Sequence, residues 1–381
     1  MLLVLLNSLF IQAGVYVVRP IVTYKALELG ADAALVGLVG ATFALAPLVL
    51  AIRIGKFVDK GRAGIALFTG SIVLALTAFA LQFIDSIALL MLAMPTLGIG
   101  HLLVMVGGQT MIANRSGSAR YEKDFGLLTF YASLGHSFGP LVGGILADSG
   151  DAKVNANAAF MFAFILFALA IMSVAALATK KQNVDIVRES EAAIRVREVL
   201  AVPTFKSAIF VASATTAVLD VVIIFMPLLG RELGLSVTAV GVLLAIRAGA
   251  SMAVRLVLGQ ISKRLGLRRI LVWGASATLI SMIALALLTD FWWLALIMLV
   301  SGFAMGIGQP ATMAWVSRIS APDSRGLAIA VRLSANRLGQ VAMPVFAGLV
   351  AGTGVGAVFY MLALLQAASI WATTASLKRG D

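Results

Sequence analysis

Glu28-Leu29-Gly30, followed by Gly37 and Gly55, returns 204 residues later as Glu232-Leu233-Gly234, Gly241 and Gly259. A second register runs beside it: Gly108-Gln109, Gly126 and Gly139 come back 200 residues on as Gly308-Gln309, Gly326 and Gly339. Solenoid periods are roughly 20–50 residues. A far longer period in a strongly apolar chain reads as two copies of a bundle of membrane-spanning helices.

Composition carries the same reading. Hydrophobic residues make up 61% of the 381 and charged ones 12%, against roughly a quarter charged in a soluble domain. Stretches of about 20 apolar residues, enough to cross roughly 30 Å of hydrocarbon, run from Leu2 to Tyr24, Ala34 to Ile54, Ala63 to Ile84, Ala88 to Ile112, Phe125 to Ala147 and Ala156 to Ala178. The second copy supplies Ser207 to Leu229, Ser236 to Leu258, Ile270 to Thr289, Phe291 to Trp315, Gly326 to Val350 and Gly354 to Ser376. Continuous rather than alternating hydrophobicity makes these helices and not barrel strands. The fold class is an all-α membrane protein of twelve transmembrane helices. Six spans per half return the chain to its starting side, so the halves are parallel repeats about an axis along the membrane normal. The expected organisation is an N-terminal bundle over 1–179, a linker over 180–206 and a C-terminal bundle over 207–381.

Basic residues favour cytoplasmic loops. The loops after spans 2, 4, 6, 8 and 10 and the C-terminal tail hold twenty, from Lys56 to Arg379, while the opposite loops hold only Lys25, Lys153 and Arg231. Both termini are therefore expected in the cytoplasm, with the protein in the cytoplasmic (inner) membrane. The net charge of +12 follows from topology and calls for no nucleic-acid partner. A cleavable signal peptide is not evident, because the first apolar run lacks a basic region before it and is long enough to span. Cysteine is absent, which excludes disulfides and thiolate metal sites. The linker mixes charges and contains a helix-compatible run, Ile186 to Leu200, that suits the cytoplasmic surface.

Ionisable residues inside the spans are few. Arg53, Arg255 and Arg332 sit near cytoplasmic span ends, where a long side chain snorkels. Arg19, Arg247 and Arg337 lie deeper, where an unpaired charge costs on the order of 3 kcal/mol or more. Asp220 is the one carboxylate well inside an apolar run. Under the 204-residue displacement it corresponds to Tyr16, one turn from Arg19, so an Arg19–Asp220 pair across the pseudo-twofold axis is expected. Such a pair is either a packing device or a proton-sensitive gate. Both histidines, His101 and His136, fall near the midplane and titrate near physiological pH. They are packing residues or members of a proton relay. His136 aligns with Asn336, beside Arg337.

Distribution adds a pattern. Spans 3, 6, 9 and 12 hold no ionisable residue, whereas 1, 4, 5, 7, 8 and 11 each hold at least one, which implies a polar interior ringed by lipid-facing helices. Gln12, Tyr16, Arg19 and Thr23 form one stripe on span 1 at helical spacing, and Ser213, Thr216 and Asp220 another on span 7. Stripes of this kind serve substrate contact or interhelical hydrogen bonding. The expected cavity residues are Gln12, Tyr16, Arg19, His101, His136, Asp220, Arg247, Asn336 and Arg337, with Asp220, His101 and His136 as proton-coupling candidates.

These residues resemble the major facilitator superfamily, in its twelve-helix drug/proton antiporter branch. Gly55-Lys-Phe-Val-Asp59-Lys60-Gly61-Arg62 is similar to that family's G-x-x-x-D-R-x-G-R signature between helices 2 and 3, one residue shorter after the Asp, with a degenerate second copy at Gly259 to Arg269. The resemblance implies that Asp59 engages the other half near span 11 and steadies the outward-facing state. Gly135-His-Ser-Phe-Gly139-Pro140-Leu-Val-Gly143-Gly144 resembles the helix 5 antiporter motif, G-x-x-x-G-P-x-x-G-G. It implies a kinked, leak-tight helix of an exporter that exchanges substrate for protons, or a plain packing motif. One departure matters: where the family's helix 4 places its coupling Arg before a Gly-x-Gly, this chain has Met94 ahead of Gly98 and Gly100.

Three deep arginines against one deep carboxylate favour an anionic or zwitterionic small organic substrate over a lipophilic cation, with Arg247 and Arg337 as clamps. The function read from the residues is proton-coupled export by alternating access, with uptake symport as the rival and a sensor or lipid flippase further off. A hydrolase would need a metal or nucleophile constellation that two separated histidines and no cysteine do not make. No enzyme activity, cofactor or metal is expected. The partners are the substrate, protons and the bilayer, and the expected state is a monomer.

Overall fold

The computed structural model describes residues 1–115, 121–150, 154–178, 196–202, 204–320 and 325–377. Among them twelve long helices form in chain order: α1 (Leu2–Glu28), α2 (Ala33–Phe57), α3 (Ala63–Ala80), α4 (Ile87–Arg115), α5 (Tyr121–Ala147) and α6 (Ala156–Ala178), then, after the short α7 (Val196–Ala201), α8 (Phe205–Glu232), α9 (Val237–Leu265), α10 (Leu267–Leu287), α11 (Phe291–Ile319), α12 (Arg325–Ala351) and α13 (Val355–Ser376). At 1.5 Å per residue even α3, with 18 residues, reaches close to 30 Å.

Repetition in sequence becomes repetition in local structure. Glu28-Leu29-Gly30 ends α1 in a Schellman turn: Gly30 has φ +84, its N–H donates to Leu27 O at 3.2 Å, and Ala31 N donates to Ala26 O at 2.9 Å. The second copy repeats each element, with Gly234 at φ +67, Gly234 N on Arg231 O at 3.3 Å and Leu235 N on Gly230 O at 2.8 Å. Glycine is used because a left-handed residue at this place costs any other side chain. The next helix starts alike in both halves. Asp32 caps α2 by accepting from Leu35 N at 2.8 Å, and Ser236, 204 residues on, caps α9 by accepting from Ala239 N at 3.1 Å. Both supply an oxygen to an orphan N–H of the first turn.

Packing repeats too. A Cβ on Gly70 would stand 2.8 Å from Gly100 O, and one on Gly274 would stand 3.3 Å from Ala304 O. Gly98 abuts the Phe43 carbonyl just as Gly302 abuts that of Arg247. Every member of each pair is displaced by 204. Close backbone approach through small residues is how helices associate where lipid removes the hydrophobic drive.

Contacts divide the chain into two packed units. One comprises α1–α6 together with Met226–Ala245, the facing ends of α8 and α9; the other comprises α7, the first part of α8 and everything from Ile246 on. In the first, α1 packs on α5 and α6, α2 on α4, and α3 on α4 and α6. The Asn7 amide pins three of these by donating to Ser71 Oγ and to Ala170 O, both at 3.1 Å. In the second, α10 packs on α11 and α13. Its apolar core gathers Phe205, Val211, Ile270, Trp315 and Ala328, and Val199 of α7 is buried in it, so the described end of the linker docks onto the bundle. The run Ile186 to Leu200 otherwise lies outside the described residues. Helices α3, α6, α10 and α13, which correspond to spans 3, 6, 9 and 12, carry large exposed apolar side chains expected of a lipid face, among them Leu76 and Phe79 on α3, Met172 on α6, Ile280 on α10 and Leu364 on α13.

Candidate functional site

In the first unit the polar stripe of α1 turns inward, and Gln12, Tyr16, Arg19 and Thr23 are all buried. Gln12 is its centre. The amide Nε2 donates to Met105 Sδ of α4 at 2.9 Å; sulfur only accepts, so this contact fixes which way the amide points. Its Oε1 then faces two imidazoles, His101 Nε2 on α4 at 3.2 Å and His136 Nε2 on α5 at 3.3 Å. A carbonyl oxygen offers only lone pairs, so each Nε2 carries the hydrogen and donates. His136 also stacks on Tyr16, ring centroids 4.0 Å apart and planes 19° apart. His101 lies beside Phe43 at 5.7 Å, and the Arg19 guanidinium sits over the same Phe43 ring at 4.7 Å. Five expected cavity residues are thus brought together from α1, α4 and α5, with Phe43 of α2 and Met105 as members the sequence did not indicate.

In the second unit Asp220 and Thr216 are buried on α8. Thr216 Oγ1 accepts from Gln309 Nε2 of α11 at 3.2 Å, and Ser213 donates to Ala335 O of α12 at 2.8 Å. Part of this stripe therefore serves interhelical hydrogen bonding. Arg247 is fully buried on α9 and Asn336 on α12. Arg337 is half-buried and Nη1 donates along its own helix to Gln340 Oε1 at 3.0 Å. Arg19 and Asp220, expected to pair, belong to different units.

Arg332 departs from expectation. It does not snorkel to a helix end: only 2% exposed, it donates through Nη2 to Gln309 O at 3.1 Å and to Thr312 Oγ1 at 3.0 Å. Helix α12 crosses α11 with Arg332 on the buried face, and the Gln309 and Thr312 oxygens give the guanidinium a closer reward than the distant interface. Among the described residues both partners are neutral. The available signal was the spacing of Arg332, Asn336 and Gln340 by four, which sets Arg332 on the face of an expected cavity residue. Buried arginines thus number three among the described residues, Arg19, Arg247 and Arg332, against the one buried carboxylate of Asp220.

The two glycine motifs differ in geometry. Between α2 and α3, Gly61 turns the chain at φ +77, Asp59 and Lys60 are exposed, and Arg62 lies over the Phe57 ring at 5.2 Å. Gly55 has open space where a Cβ would go. In α5 the glycines divide between two neighbours. Gly135, Gly139 and Gly143 face Ala13, Tyr16 and Val17 of α1, whereas Gly144 faces α9, a Cβ on it standing 3.1 Å from Gly241 Cα, and the Pro140 carbonyl abuts Gly241 as well. Just beyond, the Asp148 carboxylate accepts from Thr238 N at 3.1 Å and from Gly150 N at 3.3 Å. Hydrogen bonds from the Thr238 side chain first, then from Thr238 and Gly150 backbone and the Ser236 hydroxyl, hold its carboxyl below the usual range against a smaller opposing effect of burial. Among the described residues no three His, Asp or Glu side chains gather as a metal site.

A duplicated bundle of twelve long, mostly apolar helices, with Arg19, Arg247, Arg332 and Asp220 buried inside it, is the build of a membrane transporter. A profile of the Major Facilitator Superfamily matches residues 4–219 and again 207–379, and the chain belongs to that superfamily as a multi-pass membrane transporter. It is 29% identical over 178 residues to "Quinolone resistance protein NorA" of Staphylococcus aureus (strain MRSA252), 46% of this chain and 45% of that protein. It is 28% identical over 185 residues to "Multidrug resistance protein 1" of Bacillus subtilis (strain 168), 48% and 46% of the two chains. The chain thus spans about half the length of the curated relatives it matches. Among solved structures it is similar to the D323A mutant of the nucleoside transporter NupG, with TM-score 0.82, 15% identity and 99% of each chain covered. A bacterial homolog of the human lysosomal transporter Spinster gives TM-score 0.75 and 17% identity over 98% of this chain and 94% of that one. At such identities these neighbours speak for the fold.

Proposed function

We propose that the protein is a secondary transporter of the cytoplasmic membrane that exports a small organic anion or zwitterion in exchange for protons, by alternating access. The observation that carries this reading is the pair of imidazoles sharing one amide oxygen, His101 and His136 on Gln12 Oε1, side chains of the type whose ordinary titration range lies near neutral pH, inside a largely apolar bundle. Asp220 is the second proton-coupling group. Its coupling to Arg19, in the other unit, belongs to the proposal, as does the engagement of Asp59 with the second half. Substrate sign is supported by the three buried arginines against one buried carboxylate, with Arg247 and Arg337 as the anion-facing pair.

Export is supported by the glycine-proline pattern of α5 and by the resistance proteins that resemble part of the chain. Uptake symport is the second reading, favoured by Met94, a buried apolar residue where the family's coupling Arg is found. Reconstitution into proteoliposomes with imposed pH gradients of either sign, and a panel of anionic, zwitterionic and cationic solutes including a quinolone, tests both. Export predicts anion flux against an opposed proton gradient and its loss in Asp220→Asn. Flux confined to cations, or indifferent to the gradient, overturns it. Counterflow of labelled substrate separates a carrier from a channel or a sensor.

A further inference from the structure

The helix pair that closes tightly in the first repeat stands open in the second. In the first, Gly135 and Gly139 of α5 meet the backbone of α1: a Cβ on Gly135 would lie 2.6 Å from Ala13 N and 2.7 Å from Leu9 O, and one on Gly139 would abut Ala13 O. Their counterparts on α12 are Ala335 and Gly339, and Gly143 is replaced by Met343. Gly339 meets only the Ser213 side chain closely, with the Ser213 carbonyl at 3.4 Å. A groove of about 370 Å³ results, walled by α8, α12 and Leu365 of α13. Phe210 and Leu338 on its walls are exposed by 39% and 58%, so it opens on the flank where lipid tails lie. Ser213 spends its hydroxyl on Ala335 O, which leaves the walls apolar.

Among the described residues one charge stands on this groove. Lys206 lines it from the first turn of α8, and its counterpart in the first repeat is the neutral Leu2. A cation is disfavoured at a helix N-terminus, where the dipole presents positive charge. Lysine and helix end together favour an anion. The distribution of basic residues assigns this end of α8 to the cytoplasmic side, whose leaflet carries the anionic lipids.

We propose that the groove seats an anionic phospholipid of that leaflet, one acyl chain along α8 and α12 and the headgroup phosphate on Lys206. Apolar walls open to the flank suit the tail, and the single cation at one end fixes the headgroup's place and sign. The test is thermal unfolding and native mass spectrometry of the purified full chain titrated with phosphatidylglycerol or with phosphatidylcholine. The wild type is expected to retain and be stabilised by phosphatidylglycerol in preference. Lys206→Gln is expected to bind phosphatidylglycerol about fivefold more weakly, the equivalent of about 1 kcal/mol per basic residue at an anionic surface, with phosphatidylcholine unchanged and Lys206→Arg restoring the preference. Ala342→Phe, which fills the groove, is expected to abolish retention of both. Undiminished phosphatidylglycerol binding in Lys206→Gln, or in a folded Ala342→Phe, overturns the proposal, and so does a groove indifferent to added lipid because the chain's own linker fills it. None of these readouts uses transport, so they stand apart from the exporter reading.

Discussion

His101 Nε2 donates to Gln12 Oε1 at 3.2 Å, joining α4 to α1, and the same oxygen serves His136 of α5 at 3.3 Å. Two imidazoles from different helices therefore depend on one acceptor. Replacing Gln12 by Leu keeps the volume and removes the acceptor. The expected outcome is that gradient-driven flux falls about tenfold, on the scale of one or two buried hydrogen bonds of about 1 kcal/mol each, and its dependence on pH flattens. Substrate binding to the purified protein should change far less. A pH profile identical to the wild type would reduce the cluster to packing.

The turn between α2 and α3 separates two glycines of one motif. Gly61 is at φ +77, where a Cβ is strained, so Gly61→Ala should lower stability by about 1 kcal/mol. Gly55 is helical with open space at its Cβ, so Gly55→Ala should be neutral or stabilise by up to about 1 kcal/mol through helix propensity. Thermal unfolding of the two variants side by side checks the order. If Gly55→Ala proves the more damaging, the glycine is needed for something other than local geometry.

What the sequence discloses and what it conceals divide along range. Glu28-Leu29-Gly30 and its copy are legible as a repeat because a Schellman turn asks for one residue type at one place. Helix number follows from hydropathy, since backbone in lipid has few alternatives to the helix. The inward stripe of α1 is legible from spacing, but its partners are not: Gln12 finds imidazoles 89 and 124 residues away, and spacing within a helix carries no information about its neighbours. Arg332 departs from its expected place for the same reason. Distance from a span end gives depth, whereas the face of α12 decides between solvent and the oxygens of Gln309 and Thr312.

Asp148 lends a second cap to α9. Ser236 already holds Ala239 N, and the Asp148 carboxylate takes Thr238 N from the end of α5, beside the close approach of Gly144 to Gly241. Its folded-state pKa is depressed, so its contribution is present above the unfolded value of about 4 and is lost as pH falls through the lower folded value. Asp148→Asn should therefore cost about 1 kcal/mol or less near neutral pH, the scale of a partly solvated cap. The gap between mutant and wild type should close as pH is taken below about 4. Melting curves across that range decide it, and a gap that persists at the acid end would mean the carboxylate's charge is not what holds α9.

Arg332 offers the sharpest separation of stability from function. A guanidinium with only neutral partners among the described residues bears a desolvation cost that two hydrogen bonds do not recover in full, and replacing buried charges by apolar side chains of similar volume is often neutral or stabilising by about 1–4 kcal/mol. Arg332→Met should accordingly melt at or above the wild-type temperature. If the positive interior sets substrate sign, the same variant should lose affinity for anionic solutes by about tenfold or more, the scale of one charge-assisted contact, while neutral and cationic solutes are little affected. Arg332→Lys keeps the charge but not the planar fork, and should recover part of the anion preference. Solute-induced thermal shifts on the three proteins measure both quantities at once. A variant that melts several degrees lower with unaltered anion preference would make Arg332 a structural staple between α11 and α12, and the charge argument for an anionic substrate would then rest on Arg19 and Arg247 alone.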